Sequence, residues 1–398
     1  MINIQEAAKD TFWIGGSDRR LSRFENLFPL PQGVSYNSYV VKDEKAVVFD
    51  TADVSVAGQY LENLETALAG ASPSYLVILH MEPDHCALLQ TFVSRYPDVV
   101  LVGSAQTFRF IGQFFPELGG QKKQIVKDGD TLVTGTHTFR FMTAPMVHWP
   151  EVLFAYDEYT KALFSADAFG TFGAPGGSIF ADDYDFETKF LDEARRYYAN
   201  IVGKYGTNVQ TALCKAGSLD IQEILPLHGP VWRKDLSYIL DKYQKWSADE
   251  PETDDVLVVY GSLYGHTASA AQEFAAKLQA KTGRGVSLYD ASETDVSYLI
   301  SEVWRCSRVV LFCPTYNMGI YPPVNDFIED MTALCVSNRT FALAENGTWA
   351  PAAAKLMRAK LESLKNCNIL DDTLTIRSAL HACDEAALDA FVDAVANA

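Results

Sequence analysis

Between Leu76 and Leu89 the sequence LVILHMEPDHCALL sets His80, Glu82, Asp84 and His85 on one short turn, directly after an apolar run. Carboxylates crowded together repel, so such a cluster needs a compensating charge. A metal ion, or a pair of them, supplies it most simply, and a solvated polar turn would not need histidine at both ends. If metal is the reason, more donors are expected at later strand ends. PMVHWPE puts His148 just past the apolar TFRFMTA, FSADAFG puts Asp167 just past ALFS, and EILPLHGP puts His228 after another apolar segment. Taken singly, each has an ordinary structural reading: a core histidine beside Trp149, a cap, a turn residue. Their recurrence in one strand-then-turn context is what points to a shared site.

A second chemistry is written in YGSLYGHTASAAQEF. An apolar strand leads into Ser262, Leu263, Tyr264, Gly265, His266 and Thr267, and then into a helix. Small and hydroxyl-bearing residues at a helix N-terminus let backbone N–H groups close around a phosphate, and the helix dipole favours its charge. The loop lacks GxxxxGK[ST] and GxGxxG, which argues against a triphosphate and a dinucleotide and leaves a phosphate monoester. A serine or threonine cap with no ligand is the plain alternative. Two further loops follow later apolar strands: CPTYNMGIYPP, with Pro314, Thr315, Tyr316, Asn317 and Gly319, and ENGTWAPAA, with Asn346, Gly347, Thr348 and Trp349. Ligands of open α/β sheets sit at such carboxyl ends. Tyr316 and Trp349 suit the faces of a flat ring, and the backbone beside them suits its polar edge.

The elements that must position these groups fall into two halves. Before about residue 245 short strands alternate with turns: SYVV and AVVFDT across KDEK read as a hairpin, and LVIL (running on to His80), VVLVG, TFRFMTA and ALFSAD read as further strands. Helical periodicity interrupts them at LENLETAL and over 187–206. The acidic, proline-containing KWSADEPETDD reads as a linker. Beyond it DVLVVYGS, VSLYD, RVVLFCPTY and RTFALAEN alternate with helices and end in a long helical run, which predicts a parallel sheet covered on both faces.

The chain has 398 residues, 48% hydrophobic and 21% charged, with a net charge of −18. That charge argues against nucleic acid and anionic membranes as partners. No apolar run reaches the length of a membrane span, and MINIQEAAKDTFWIGG has no signal-peptide pattern, so the expected location is cytoplasmic. The seven cysteines are scattered without a CxxC pair, as in a reducing compartment.

His80-x-Glu82-x-Asp84-His85, followed by His148, Asp167 and His228, resembles the metallo-β-lactamase fold in its flavodiiron form. Hydrolases of that fold usually carry histidine at the second position and bind zinc. The carboxylate of Glu82 favours iron. The resemblance covers essentially the whole chain. It implies an α/β and α+β protein: an αββα sandwich over 1–247, a linker at 248–254, and a flavodoxin-like doubly wound sheet over 255–398. It implies that His80, Glu82 and His148 hold one iron and Asp84, His85 and His228 the other, with Asp167 bridging. The three later loops resemble those that carry FMN in flavodiiron proteins, His266 standing where relatives often have asparagine. The implied activity is reduction of O2 to water, of NO to N2O, or both. The implied partners are a separate rubredoxin or its reductase, or a reduced deazaflavin, and a second copy in a head-to-tail homodimer or dimer of dimers. No paired CxxC of a fused rubredoxin occurs. The rival readings are a dizinc hydrolase with an accessory flavodoxin-like domain and a plain FMN electron carrier. His137 and His381 read as structural or exposed, Cys86 as packing, and Lys122, Lys123 and Lys127 as a basic patch for a donor or a solvated face.

Overall fold

The computed structural model describes residues 3–398. The chain divides into two compact units, the first ending at Gln244 and the second spanning Lys245–Ala398. The division falls inside the helix Leu236–Ser247, and the strand Thr253–Tyr260 already begins within the stretch read as a linker.

In the first unit the hairpin signal becomes the antiparallel pair Tyr39–Val41 and Val47–Phe49. Both strands are buried at every residue, as sheets covered on two faces are. They lie within a seven-stranded sheet ordered Gln5–Ala8, Thr11–Trp13, Tyr39–Val41, Val47–Phe49, Tyr75–Val77, Val100–Gly103, Lys123–Ile125. A five-stranded sheet, Thr131–Val133, Thr138–Thr143, Leu153–Asp157, Ala162–Phe164, Glu223–Leu225, follows in chain order. Phe49 joins the two: its ring stacks on Phe164 at 3.9 Å and meets Phe139 edge-on at 5.1 Å. Aromatic rings bury more apolar area than any other side chain, so this layer is the natural centre of the core. The helices Ala57–Leu68 and Ala105–Phe114 pack on the larger sheet, the second started by a capping box between Ser104 and Thr107.

Two readings of the sequence change here. The strand expected to run to His80 stops at Val77. Ile78 N–H still reaches Val102 O at 2.8 Å, but Leu79 and His80 N–H turn to the carboxylate Oδ1 of Asp50 at 2.8 and 3.2 Å. A side-chain acceptor thus replaces the neighbouring strand and lets the chain leave the sheet where the donors begin. The stretch 187–206 is not one helix: it runs through Phe186–Lys189, Leu191–Tyr197 and a π turn at Tyr198–Val202, and a further helix, Gly206–Ala216, follows.

The second unit holds a parallel sheet ordered Val286–Asp290, Thr253–Tyr260, Cys306–Tyr316, Thr340–Asn346, Asn368–Ile376. This is the doubly wound order with the topological switch beside the first strand. The helices His266–Thr282 and Glu385–Ala396 pack together, and Val256, Val258, Phe274, Phe312 and Phe391 fill the core beneath them. The long helical run expected after RTFALAEN is interrupted: Ala353–Leu361 is followed by the strand Asn368–Ile376 and only then by the last helix. That strand lies at the sheet edge and exposes Asp371 and Asp372, so its sequence lacks the continuous apolar run of the central strands. Among the described residues no helix is long and apolar enough to cross a membrane.

Candidate functional site

Each expected metal donor sits just beyond the end of a strand. His80, Glu82, Asp84 and His85 occupy the turn after Tyr75–Val77 and the short helix Pro83–Cys86. Asp167 follows Ala162–Phe164 and His228 follows Glu223–Leu225, while His148 lies on the connection between Thr138–Thr143 and Leu153–Asp157. The side chains converge. His148 Nε2 lies 3.0 Å from Glu82 Oε2 and 3.2 Å from Asp167 Oδ2, and His80 Nε2 lies 3.3 and 3.5 Å from the same two oxygens. The other oxygen of Asp167 faces elsewhere: Oδ1 is 3.1 Å from His85 Nε2 and 3.7 Å from His228 Nε2. Asp84 Oδ2 completes that side, 3.4 Å from His85 Nε2 and 3.2 Å from His228 Nε2.

The donors therefore form two sets, His80–Glu82–His148 and Asp84–His85–His228, with one Asp167 oxygen turned to each. Metal–ligand bonds of about 2.0–2.2 Å at angles near 90–110° place neighbouring donors about 3.0–3.5 Å apart, the spacing found for every pair but His228 Nε2 and Asp167 Oδ1, which lie 3.7 Å apart. Both oxygens of Asp84 and of Asp167, both ring nitrogens of His85, and His228 Nε2 are buried without a hydrogen-bond partner. Orphaned polar atoms are costly, and so many aimed at one point fit a pair of cations. The electrostatics agree. Burial disfavours the charged imidazolium of His148, yet Asp167 and Glu82 reverse this and raise it to about 9. His85 is likewise lowered by burial and raised to about 9 by Asp84 and Asp167. Burial pushes Glu82 up, and its bonds with His148 and His80 hold it below the usual range.

In the second unit the three loops line one cleft of about 520 Å³. Ser262, Leu263, Tyr264, His266 and Thr267 come from the first loop, Pro314, Thr315, Tyr316 and Asn317 from the second, and Asn346, Gly347, Thr348 and Trp349 from the third. Gly265 and Gly319 are not on its wall. Gly265 caps the helix His266–Thr282 with φ 92°, which a side chain would resist, and Gly319 pairs with Tyr316 in a short return. Tyr264 and Trp349 are 91% and 84% exposed, large apolar faces left open around the cleft. The Thr315 hydroxyl accepts from Ala352 and Ala353 N–H and so starts the next helix. Ser262 Oγ accepts from Gly265 and Ala268 N–H and shapes the first loop.

A model of the ODP family of beta lactamases matches residues 34–229, and a flavodoxin model matches residues 258–391. The anaerobic nitric oxide reductase flavorubredoxin of Escherichia coli is 29% identical over 357 residues, 88% of this chain and 73% of that protein. The flavodiiron protein of Giardia intestinalis superposes with a TM-score of 0.93 at 24% identity, covering 100% of this chain and 96% of that one. The rubredoxin:oxygen oxidoreductase of the anaerobe Desulfovibrio gigas gives 0.91 at 25% identity, covering 99% and 98%. The chain belongs to the flavodiiron proteins.

The first unit of this flavodiiron chain is thus a metallo-β-lactamase-like sandwich and the second a flavodoxin-like domain. Several residues beside the two sites escaped sequence reasoning. Glu151 Oε1 accepts from His80 Nδ1 at 2.8 Å, and nothing in PMVHWPE marked it apart from the nearby His148. Glu25, with φ 50° and part of its surface open to solvent, has its carboxyl raised by desolvation beside the site and by the nearby Glu82 charge. Phe24, Tyr36 and Tyr197 place their rings 5.4–5.7 Å from His228 and wall that side. Ser378, on the wall of the cleft in the second unit, follows the strand that the sequence concealed. The lysine patch is partly engaged: Lys122 pairs with Asp98, and Lys123 lies over the Phe108 ring. His137 is buried against Asp157, Cys86 is buried, and His381 is exposed at a helix cap.

Proposed function

We propose that this flavodiiron chain is an oxidoreductase that reduces O2 to water, NO to N2O, or both, with a pair of irons and FMN as its cofactors. The single observation that carries this is Asp167, buried, with one unpartnered oxygen turned to each donor set. Such a carboxylate neutralises and bridges two cations; a lone ion leaves half of it unsatisfied. Bound at these residues, the irons supply electrons and Lewis acidity to the gas, and FMN supplies two electrons that it passes on singly. Reduction of O2 to water consumes four electrons, whereas two NO yield N2O and water for two, so a refilling flavin suits both.

In this reading His80, Glu82 and His148 hold one iron, Asp84, His85 and His228 the other, and Trp149, Phe24 and Tyr197 keep bulk water off. Glu82, where a hydrolase carries histidine, supports iron over zinc. On the flavodoxin side, the loop Ser262–Thr267 takes the phosphate at the helix N-terminus. Tyr316 and Trp349 cover the ring, while Asn317, Asn346, Gly347 and Thr348 meet its polar edge. Electrons come from a rubredoxin or its reductase, as the names of the relatives suggest, and the working assembly is a head-to-tail homodimer or a dimer of dimers. The scattered cysteines, with no CxxC pair, are in keeping with a reducing cytoplasm.

The test is anaerobic stopped-flow on metal-counted, fully reduced protein mixed separately with O2 and NO. His148→Ala is expected to lose at least about 100-fold in gas consumption while its flavin is reduced at the wild-type rate. Unchanged gas consumption in that variant, or zinc without iron in wild-type protein, overturns the proposal.

A further inference from the structure

We infer that Glu151 is a positioning residue that fixes the tautomer of His80 and makes the His80–Glu82–His148 position the more electron-rich of the two. The inference rests on the diiron reading and goes beyond it, because it assigns different characters to the two irons.

The geometry is local and complete. His80 Nδ1–H donates to Glu151 Oε1 at 2.8 Å, and both side chains are fully buried. The same oxygen accepts from the backbone N–H of Met81 at 2.8 Å, so the carboxylate is held against the turn that carries Glu82. Its other oxygen, Oε2, is buried with no hydrogen-bond partner. With the proton fixed on Nδ1, the lone pair of His80 is on Nε2, the atom that faces Glu82 and Asp167. A charged acceptor draws the Nδ1 proton more strongly than a neutral one and raises the basicity of the opposite nitrogen.

The other donor set has no such support. His228 Nδ1 donates to the backbone carbonyl of Ser35 at 2.8 Å, a neutral acceptor. His85 Nδ1 is buried without any hydrogen-bond partner. One position therefore has a buried carboxylate hydrogen-bonded directly behind a ligating ring, whereas at the other the buried Asp50 carboxylate acts on His85 by charge alone, with no hydrogen bond to its ring. Stronger donation binds metal more tightly and favours the ferric over the ferrous state. An iron held by His80, Glu82 and His148 would accordingly be the tighter-bound and the more readily oxidised of the two, and a pair so differentiated would give a mixed-valent form on partial oxidation.

Glu151→Gln keeps the acceptor oxygen and the side-chain volume but removes the charge. Metal-free, FMN-loaded full-length protein is titrated anaerobically with ferrous ion against a competing chelator, and partially oxidised samples are followed by EPR. Wild type is expected to take two irons with unequal affinity and to give a mixed-valent signal. E151Q is expected to lose about 10–100-fold in affinity at the tighter site only, with a smaller mixed-valent signal and unchanged flavin reduction. Glu151→Asp keeps the charge and is expected to stay within about threefold of wild type, which also covers the case in which E151Q fails to fold. Two irons bound by E151Q with wild-type affinities and an unchanged signal overturn the assignment, as does an E151D loss matching that of E151Q. Fewer than two irons in wild type overturn the diiron reading itself, and this assignment with it.

Discussion

His85 and His148 each face oxygens of two carboxylates, and both are raised to about 9, while His80 is also raised, burial being outweighed by Asp167 and Glu151. Below those values the metal-free rings hold a second proton that a metal must displace. Ferrous or zinc affinity is therefore expected to climb with pH up to about pH 9. About three protons should be released on filling the site at pH 7, counted by calorimetry in buffers of different ionisation heat. His137 carries a separate consequence. It is buried, bonded to Asp157 at 2.7 Å, and its pKa is raised because the charges of Asp157, Asp43 and Asp10 outweigh burial. A raised folded-state value means that its stabilisation is full below about pH 6.5 and is lost as pH climbs through that raised value. His137→Gln is expected to cost about 2 kcal/mol at pH 6 and clearly less at pH 9, measured as the wild-type difference in urea unfolding at each pH. The candidate donor cluster was legible because crowded carboxylates and imidazoles are costly without a cation. Glu151 was not, since a lone glutamate after proline has nothing in its neighbours to say that it will be buried against a ring.

Among elements, the strand ends do the positioning, and they do so under strain. Asp50, Met146 and Ala166 adopt φ of 52°, 65° and 49°, each beside a turn that carries a candidate metal donor. Non-glycine residues in the left-handed region cost on the order of 1 kcal/mol or more, a cost met here by burial of the surrounding turns. In the flavin unit the return loop after Asn368–Ile376 is tied by one side chain. Asn346 donates to Ser378 O and Thr267 Oγ1 at 3.0 and 3.2 Å, and accepts from Ser378 N–H at 3.1 Å. Asn346→Ala is expected to weaken FMN about tenfold, since one or two net hydrogen bonds of order 1 kcal/mol are lost; fluorescence titration of the apoprotein reads it. Hairpin and central strands were readable from alternation and continuous apolar runs. The edge strand was not, because an edge needs charge to stay unpaired and so does not look like its neighbours.

At the scale of the whole molecule, the stretch read as a linker belongs to the flavodoxin side. Trp304 Nε1 donates to Trp246 O, Arg339 to Asp249 O, Ser337 to the Asp249 carboxylate and Asn338 to Ala248 O, all within the second unit. A fragment spanning Lys245–Ala398 is expected to fold and bind FMN without metal. One starting at Thr253 should be about 2–4 kcal/mol less stable by denaturant melt, having lost these bonds. Equal stability of the two fragments would mean that the segment is a free tether. The sequence by itself determined which chemistries the chain holds and in what order, because donor types, phosphate-loop residues and strand periods are local properties. Only the tertiary structure decided that one oxygen of Asp167 faces each donor set, that Glu151 stands behind His80, and that Ser378 joins the wall of the cleft in the second unit. Those facts depend on where chain segments meet that lie far apart in sequence, and a hydrogen bond or a shared charge between them leaves no trace in local composition.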